Sequence, residues 1–328
     1  MKLNNPKVAQ IKLSQIDFND NSYRITFNPD ISKLVVSIKR VSILNHPILE
    51  KTAQDSYRIV CGYKRLLALK QLNKDKISAY YFETNETSPS LQLFVITIFE
   101  NLGTRSLNII EQANIVHKLV TTFHVPDEII AKQFLPELDL GTNPKLINRF
   151  LKLFTLKDFL KKAIVNDFLS LDSALSISKL DETEAGQIFD LFHFLKFGKN
   201  KQKEFLRLVY DISNGSQTSI SEIINREHIQ KIVQDVKLTS PVKINRIMAQ
   251  LKKLRYPQFS KVEEKFDLFK KDLKLPPSMI LRPPDFFEGE KFSFELIFKD
   301  QSEFKKMVEQ LNQFAEQNKM TTLENLLD

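Results

Sequence analysis

The chain has 328 residues, more than one hydrophobic core usually supports, so we expect two or three domains. A hydrophobic content of 42% excludes a disordered tail protein, and no apolar run reaches the roughly 18 residues that a membrane-spanning helix needs. The net charge of +8 leaves two interpretations open, a solvated lysine-rich surface or a polyanionic partner such as nucleic acid.

The first 98 residues have the pattern of a mixed α/β domain. Strands are predicted at residues 8–16, 47–49, 57–60 and 77–82, and helices at residues 30–39 and 63–72. Asp30 is the predicted N-cap of the first helix. The third strand runs through Cys61, the single cysteine, into Gly62. We expect Cys61 to be a small core residue in a reducing cytoplasm, because no cluster of Cys and His surrounds it.

From residue 91 to about residue 232 the pattern is almost entirely helical. An apolar helix is predicted from Leu91 to Glu100, ending at residues 101–103. Asn108 then caps a new helix, and Glu111 is placed to complete a capping box. Further helices continue to residue 213, and Asn214-Gly215-Ser216 is predicted to be a loop.

Residues 127–135 and 143–155 have the outline of a helix–turn–helix, with Asn143 as the cap and Pro144 at the first helical position. The second helix is amphipathic. Its predicted inward side chains are Ile147, Phe150, Leu151 and Phe154, and its outward ones are Lys145, Asn148, Arg149 and Lys152. Asn and Arg suit base edges and Lys suits phosphates, so this face is a candidate DNA-reading surface. The alternative is a basic face that only contacts solvent.

The C-terminal third begins with a basic stretch, residues 231–271, which holds eleven Lys or Arg against four Asp or Glu. Residues 292–298 alternate like a half-buried strand. Asp300 then caps a helix with an apolar stripe formed by Phe304, Met307, Val308, Leu311 and Phe314. Such a stripe suits either packing on its own sheet or dimerisation.

Two short segments have the residue types of a phosphate site. Gly62-Tyr63-Lys64-Arg65 begins a helix, where free N–H groups, the helix dipole and two basic side chains favour an anion. The alternative is a basic first turn that faces solvent. The second segment, Glu100 to Arg105, follows about forty residues later and carries carboxylate, amide and guanidinium groups.

In their order along the chain, these segments resemble the ParB family of chromosome- and plasmid-partition proteins. In that family the first segment reads Gly-Glu-Arg-Arg, so Gly62 and Arg65 match, Lys64 is a basic replacement and Tyr63 replaces the acidic residue. The family's Glu-Asn-x-x-Arg motif resembles Glu100-Asn101, but Thr104 occupies the arginine position and Arg105 lies one residue later. A helix would rotate that side chain by about 100°. Ser42 stands where the family usually has a glycine.

The resemblance implies an α/β ParB-type N-terminal domain, an all-α helix–turn–helix domain and a small α+β C-terminal domain. We place these at residues 1–98, 99–232 and 291–328, with a basic linker and helical segment at 233–290. It also implies a site for CTP with Mg²⁺, for which the candidates are Ser42, Gly62, Tyr63, Lys64, Arg65, Asn101 and Arg105. Glu100 is the candidate for positioning metal or water, and no metal site formed by protein ligands alone is expected.

The resemblance further implies a cytoplasmic, nucleoid-associated protein that binds double-stranded DNA as a homodimer, with a CTP-dependent clamp, at most slow CTP hydrolysis and a ParA-type ATPase as partner. The first alternative is a transcriptional, plasmid or phage regulator that kept the scaffold and lost nucleotide binding, which Ser42, Tyr63 and Thr104 favour. The second alternative is a nuclease or kinase on the same fold, for which the sequence offers no metal-ligand cluster.

Overall fold

The structure is a computed structural model that describes residues 5–52, 56–84, 88–287 and 291–316. The chain divides into two compact units, Met1–Lys179 and Leu180–Asp328. The domain boundaries expected from the sequence therefore stay predictions. Within the described ranges, no helix is both long enough and apolar enough to cross a membrane.

The first unit begins with a five-stranded mixed sheet. Its strands are β1 (Lys7–Lys12), β2 (Ile16–Asp17), β3 (Ile48–Lys51), β4 (Tyr57–Cys61) and β5 (Lys76–Glu83), in the spatial order β1-β5-β3-β4-β2. The pairs β1–β5 and β3–β4 are antiparallel, and β3–β5 and β2–β4 are parallel. The single strand predicted over residues 8–16 was wrong. A 3-10 turn at Leu13–Gln15 breaks it, and the chain crosses from one sheet edge to the other.

Two helices accompany this sheet, α1 (Ser32–Val41) and α2 (Tyr63–Gln71). The core between them and the strands includes Leu49, Leu66 and Ala79, each without exposed surface, and Ile11 and Ile38. Asp30 is not the N-cap of α1, which is Ile31. The Asp30 carboxylate instead accepts a hydrogen bond from the backbone N–H of Ser32 at 2.9 Å.

The rest of the first unit is helical. Its α-helices are α3 (Leu91–Thr104), α4 (Ile109–Thr121), α5 (Asp127–Ile129), α6 (Lys145–Phe154), α7 (Asp158–Val165) and α8 (Leu171–Ile177). The capping box of α4 is confirmed, since the Asn108 side chain accepts from the N–H of Glu111 and the Glu111 carboxylate accepts from the N–H of Asn108. The end predicted for α3 at residues 101–103 falls short, because the helix continues to Thr104.

The segment between α4 and α6 departs from the expected simple helix. Only Asp127–Ile129 is α-helical, and a π-helix at Ile130–Phe134 and a 3-10 turn at Pro136–Leu138 follow it. Ahead of α6, the Asn143 carboxamide oxygen accepts from the backbone N–H of Lys145 at 3.0 Å. Pro144 is the N-cap and not the first helical residue, so α6 begins one residue later than expected, at Lys145.

The second unit holds seven helices and a hairpin among its described residues. The helices are α9 (Glu182–Leu195), α10 (Lys199–Ser216), α11 (Ile220–Ile224), α12 (Glu227–Gln234), α13 (Ser240–Arg255), α14 (Pro257–Leu273) and α15 (Gln301–Glu316), and β6 (Met279–Arg282) pairs antiparallel with β7 (Ser293–Leu296). The loop predicted at residues 214–216 was wrong, because α10 continues through it to Ser216, and Gln217 is its C-cap with a φ of 51°.

The C-terminal helix has the predicted cap but only part of the predicted core face. The Asp300 carboxylate accepts from the backbone N–H of Glu303 at 2.9 Å. Of its apolar stripe, Met307 is buried, Phe304 is exposed, and Phe314 packs against a cluster that includes Phe266 and Leu281. Residues 317–328, the end of the predicted dimerisation segment, lie outside the described residues.

Candidate functional site

A cavity of about 280 Å³ opens where the β4–α2 turn faces α3 and the residue that follows α3. It brings together most of the nucleotide-site candidates, namely Gly62, Tyr63, Lys64, Arg65, Glu100, Asn101 and Arg105. Its volume is near the lower end of the roughly 300–1,000 Å³ that small-molecule sites occupy. The two segments that the sequence analysis singled out thus form one site.

Gly62 is required where α2 begins. It is the N-cap of α2 with a φ of 92°, in the left-handed region that other residues rarely adopt. A Cβ at this position would lie 2.9 Å from the Cβ of Pro47, which is closer than carbon atoms pack. The first N–H groups of α2 have no partner within the helix, and the residues that carry them line the cavity, so an anion bound there can accept from them.

Arg65 links three separate segments through its guanidinium group. Nη1 donates to the carbonyl oxygen of Asn45 at 2.6 Å, and Nη2 donates to Oε1 of Glu100 at 3.0 Å. The ion pair between Arg65 and Glu100 is mostly shielded from solvent. Because of this pair, the first two motifs meet at one wall of the cavity, and the charge of Arg65 is already partly compensated.

Arg105 reaches the cavity in a way that the sequence analysis did not anticipate. The expected rotation of about 100° applies to a helical residue. Arg105 instead follows the last residue of α3 with extended backbone, φ −162° and ψ 161°. Its Nε donates to Oδ1 of Asn101 at 3.0 Å and its Nη1 donates to Oε2 of Glu111 at 2.6 Å. Its Nη2 is buried and has no hydrogen-bond partner among the described residues.

Thr104, which stands at the family's arginine position, points its hydroxyl back to the helix. Its Oγ1 donates to the carbonyl oxygen of Glu100 at 2.8 Å. Although Thr104 lines the cavity, it offers no charge to a ligand. Arg105 is therefore the cation that this end of α3 supplies.

Tyr63, which replaces the family's acidic residue, is paired with Arg24. Nη1 of Arg24 donates to the Tyr63 hydroxyl oxygen at 2.9 Å, and the guanidinium carbon lies 5.0 Å from the centre of the Tyr63 ring. Arg24 lines the cavity but was not among the predicted site residues. Its stretch resembles the first conserved stretch of the ParB family, but the segment before α1 has no regular secondary structure, so periodicity could not place the Arg24 side chain at the cavity.

Ser42 is not brought to this cavity. It ends α1 with a φ of 62° and a ψ of −168°, a conformation that glycine adopts readily and serine does not. It lines a different cavity, together with Lys39, Arg40 and His46. Of the predicted nucleotide-site residues, Ser42 alone lies away from the others.

Cys61 lines the floor of the first cavity as a buried thiol. Burial, and then the negative charge of Glu100, raise the pKa of Cys61 to about 12. The thiol is therefore protonated at neutral pH and is a poor nucleophile. The prediction that Cys61 is a core residue is confirmed.

The DNA-site candidates lie on α6. Lys145, Asn148 and Lys152 are exposed, whereas Nη2 of Arg149 donates to Oδ1 of Asp172 at 2.9 Å. The inward face is formed by Ile147, Phe150 and Leu153. Leu151 and Phe154, which were predicted inward, are only half-buried. The four candidates are thus on the side of α6 away from the core, with Arg149 held by a carboxylate.

Comparisons with known proteins place the N-terminal part of the chain in a family. Residues 1–98 match the model of the ParB N-terminal domain. The nucleoid occlusion protein of Shouchella clausii is 28% identical over 182 residues, which cover 55% of this chain and 60% of that protein. The probable chromosome-partitioning protein ParB of Chlamydia muridarum is 24% identical over 169 residues, covering 50% of this chain and 57% of that protein. The matches thus span about three fifths of these relatives.

Solved structures give weaker likenesses. C-terminally truncated ParB from Caulobacter crescentus, complexed with CTP-γ-S, is 22% identical, with a TM-score of 0.27, over 56% of this chain and 99% of that chain. The Pnob8-like ParB-N domain is 12% identical, with a TM-score of 0.37, over 76% of this chain and 99% of that chain. Scores this low add no weight to the assignment, which rests on the sequence matches.

Proposed function

Because residues 1–98 match the ParB N-terminal domain, we propose that this chain is a ParB-type DNA-binding protein that acts in DNA partition. The relatives named as nucleoid occlusion and chromosome-partitioning proteins support this function. The basic composition of the chain and the exposed Lys and Asn side chains of α6 are consistent with a double-stranded DNA partner.

The first cavity is proposed to bind CTP. The observation that carries this proposal is the meeting of the α2 N-terminus with Arg65, Glu100 and Arg105 in one cavity. N–H groups, a lysine and three arginines suit a triphosphate, and the buried, unpartnered Nη2 of Arg105 is a donor available to it. Mg²⁺ would be held mainly by the phosphates, with the Glu100 carboxylate as the protein group suited to it.

The proposed role of the nucleotide is to change the population of a clamp state on DNA. A ligand shifts such an equilibrium only by its difference in affinity between the two states. Two copies of the chain would load on DNA together, with the C-terminal segment as the proposed dimer contact and a ParA-type ATPase as partner. At most, slow CTP hydrolysis is expected, with Glu100 positioning the water.

The deciding experiment is calorimetry with CTP, ATP and GTP, each with Mg²⁺, on the wild type, Arg65→Ala and Lys64→Ala. We expect selective CTP binding that Arg65→Ala abolishes and Lys64→Ala weakens. Lys64→Ala is the matched variant because it removes a charge from the same turn and keeps the Arg65–Glu100 pair. A melting curve for each variant separates lost binding from lost folding. CTP affinity unchanged in folded Arg65→Ala protein would refute the assignment of the site.

DNA binding is tested separately by fluorescence anisotropy with short duplexes at several salt concentrations. Lys152→Ala is expected to weaken binding to all sequences and to reduce the salt slope by about one, as expected for a phosphate contact. Asn148→Ala is expected to cost roughly 1–3 kcal/mol on the preferred sequence only, as a base contact would. Equal affinities for wild type and both variants would remove α6 from the proposed interface.

The regulator without a nucleotide switch is the second candidate, and one observation favours it. Two of the three arginines that line the cavity are already in ion pairs, Arg65 with Glu100 and Arg105 with Glu111. A triphosphate would have to compete with these carboxylates. If no nucleotide binds while DNA affinity is intact, this candidate replaces the clamp. The nuclease or kinase has no observation in its favour, since the described residues include no group of three or more His, Cys, Asp or Glu that could hold a metal ion.

A further inference from the structure

A second cavity in the first unit, about 450 Å³ in volume, is lined mainly by basic side chains. Among the described residues around it, Arg24, Lys118, Lys161 and Lys162 are basic and Asp158 is the one acidic residue. These cations come from three elements, the segment before α1, helix α4 and helix α7. The paired Arg24 and Tyr63 side chains border both this cavity and the nucleotide cavity.

Two of the lysines are held in place and are poorly compensated. Nζ of Lys118 donates to the carbonyl oxygen of Asn21. Lys161 is only 13% exposed, and its Nζ lies 5.2 Å from the centre of the Phe154 ring and 3.8 Å from Oδ1 of Asp158. The Asp158 side chain is 77% exposed, so water screens much of its charge.

The carboxylate that attracts Lys118 is engaged elsewhere. Asp20 attracts Lys118, but Oδ2 of Asp20 accepts from Nε of Arg58 at 2.9 Å. A partly buried cation without a dedicated counter-charge is costly, because it loses hydration without an equivalent interaction in the protein. A site with several such cations is favourable for an anion.

Titration behaviour agrees with this geometry. Burial, and then the nearby charge of Arg24, hold the pKa of Lys118 below its usual value. Burial also lowers the pKa of Lys161. The imidazole of His117 is stacked on Phe154 with ring centres 3.5 Å apart, and its pKa is lowered by burial and then by the positive charges of Lys118 and Lys161. His117 therefore senses the positive field of this cavity.

We propose that this second cavity binds a phosphate group, held by Arg24, Lys118 and Lys161. A phosphate carries enough negative charge and acceptor oxygens to engage cations that approach from three elements at once. This cavity shares Arg24 and Tyr63 with the nucleotide cavity, but Lys118 and Lys161 line only this one, so the proposal does not depend on CTP binding in the nucleotide cavity. The phosphate can belong to the DNA backbone or to a free nucleotide, since both present the same group.

The test is proton NMR of the His117 ring. It is one of five histidines in the chain, and its signal is assigned with His117→Gln. The protein is titrated with inorganic phosphate, with a short duplex of random sequence and with CTP, at constant ionic strength. An anion in the cavity opposes the charges of Lys118 and Lys161, so the pKa of His117 is expected to rise and its signal to shift with saturation.

Lys161→Gln is expected to weaken binding of the saturating ligand by roughly tenfold, because it removes a charged hydrogen-bond donor to the phosphate. Lys161→Arg, which keeps the charge, should restore most of the affinity. The matched control is Lys12→Gln, an exposed lysine at the end of β1 and outside both cavities. If Lys161→Gln fails to fold, Lys162→Gln on the same helix serves, because its side chain is exposed.

The responses to the three probes identify the source of the phosphate. If the duplex saturates the shift of the His117 signal and Arg65→Ala does not change this, the cavity is assigned to the DNA backbone. If CTP saturates the shift and still does so in Arg65→Ala, the cavity is assigned to a nucleotide phosphate. CTP affinity unchanged in folded Arg65→Ala protein, with the inorganic phosphate response intact, would count against the nucleotide cavity alone. No change in the His117 pKa with any probe, or an equal loss in Lys12→Gln, would overturn the proposal.

Discussion

The contact between Arg105 and Glu111 is expected to stabilise the junction of α3 and α4. Nη1 of Arg105 donates to Oε2 of Glu111 at 2.6 Å, and the two side chains are 25% and 2% exposed. Removing one partner of a buried pair costs roughly 3–5 kcal/mol, because the remaining charge stays buried. Here Arg105 is partly solvated, and in the variant the Glu111 carboxylate still accepts a hydrogen bond from the backbone N–H of Asn108, at 3.2 Å in the wild type. We therefore expect Arg105→Ala to lower the stability of this junction by about 2 kcal/mol.

Native-state hydrogen exchange measures this loss without interference from the second compact unit. A loss of about 2 kcal/mol corresponds to roughly thirtyfold faster exchange of α4 amides that open with this junction. Arg149→Ala is the matched control, because it breaks an ion pair with Asp172 whose side chains are 42% and 62% exposed. Exposed pairs contribute roughly 0–1 kcal/mol. Equal effects of the two variants would refute the argument from burial.

Three further results are expected. Ser42→Gly should raise the free energy of unfolding by about 1 kcal/mol in a urea melt, because glycine adopts the φ and ψ of this position without strain. This gain should outweigh the greater conformational freedom that glycine gives the unfolded chain. A lower free energy of unfolding would show that the backbone of Ser42 is not strained. Gly62→Ala should lower stability by roughly 2 kcal/mol and abolish CTP binding, through its left-handed φ and the contact with Pro47; a wild-type melt would contradict this. The pKa of Cys61 is raised in the folded protein, so the unfolded chain loses this proton first and stability should fall as pH rises from about 9 toward 12. Melts at several pH values should show this fall, and Cys61→Ala should lessen it. An unchanged slope would exclude Cys61 as the cause.

Local signals in the sequence predicted several features correctly. The capping box from Asn108 to Glu111 is such a signal, because both partners lie within one helical turn. The turn from β4 into α2 at Gly62 is another, since a β-branched run ends at a glycine followed by good helix formers. These features depend on contacts between residues a few positions apart, so the sequence alone was sufficient for them.

Other local signals were misleading. Gly103 and the segment 214–216 are helical although their residues are typical of helix ends and loops. Glycine in a helix costs roughly 1 kcal/mol, and burial of neighbouring apolar side chains such as Ile98 and Ile212 can outweigh that cost. The sequence could not show this balance, because it depends on what each helix packs against.

The sequence by itself determined the order of the motifs, the α/β character of the first 98 residues and the basic face of α6. Only the tertiary structure decided which charges meet. Arg65 pairs with Glu100, 35 residues away, and Lys118 and Lys161 line the same cavity. The reason is that charge interactions depend on distance and solvent exposure in space, and both are set by how the sheet and helices pack.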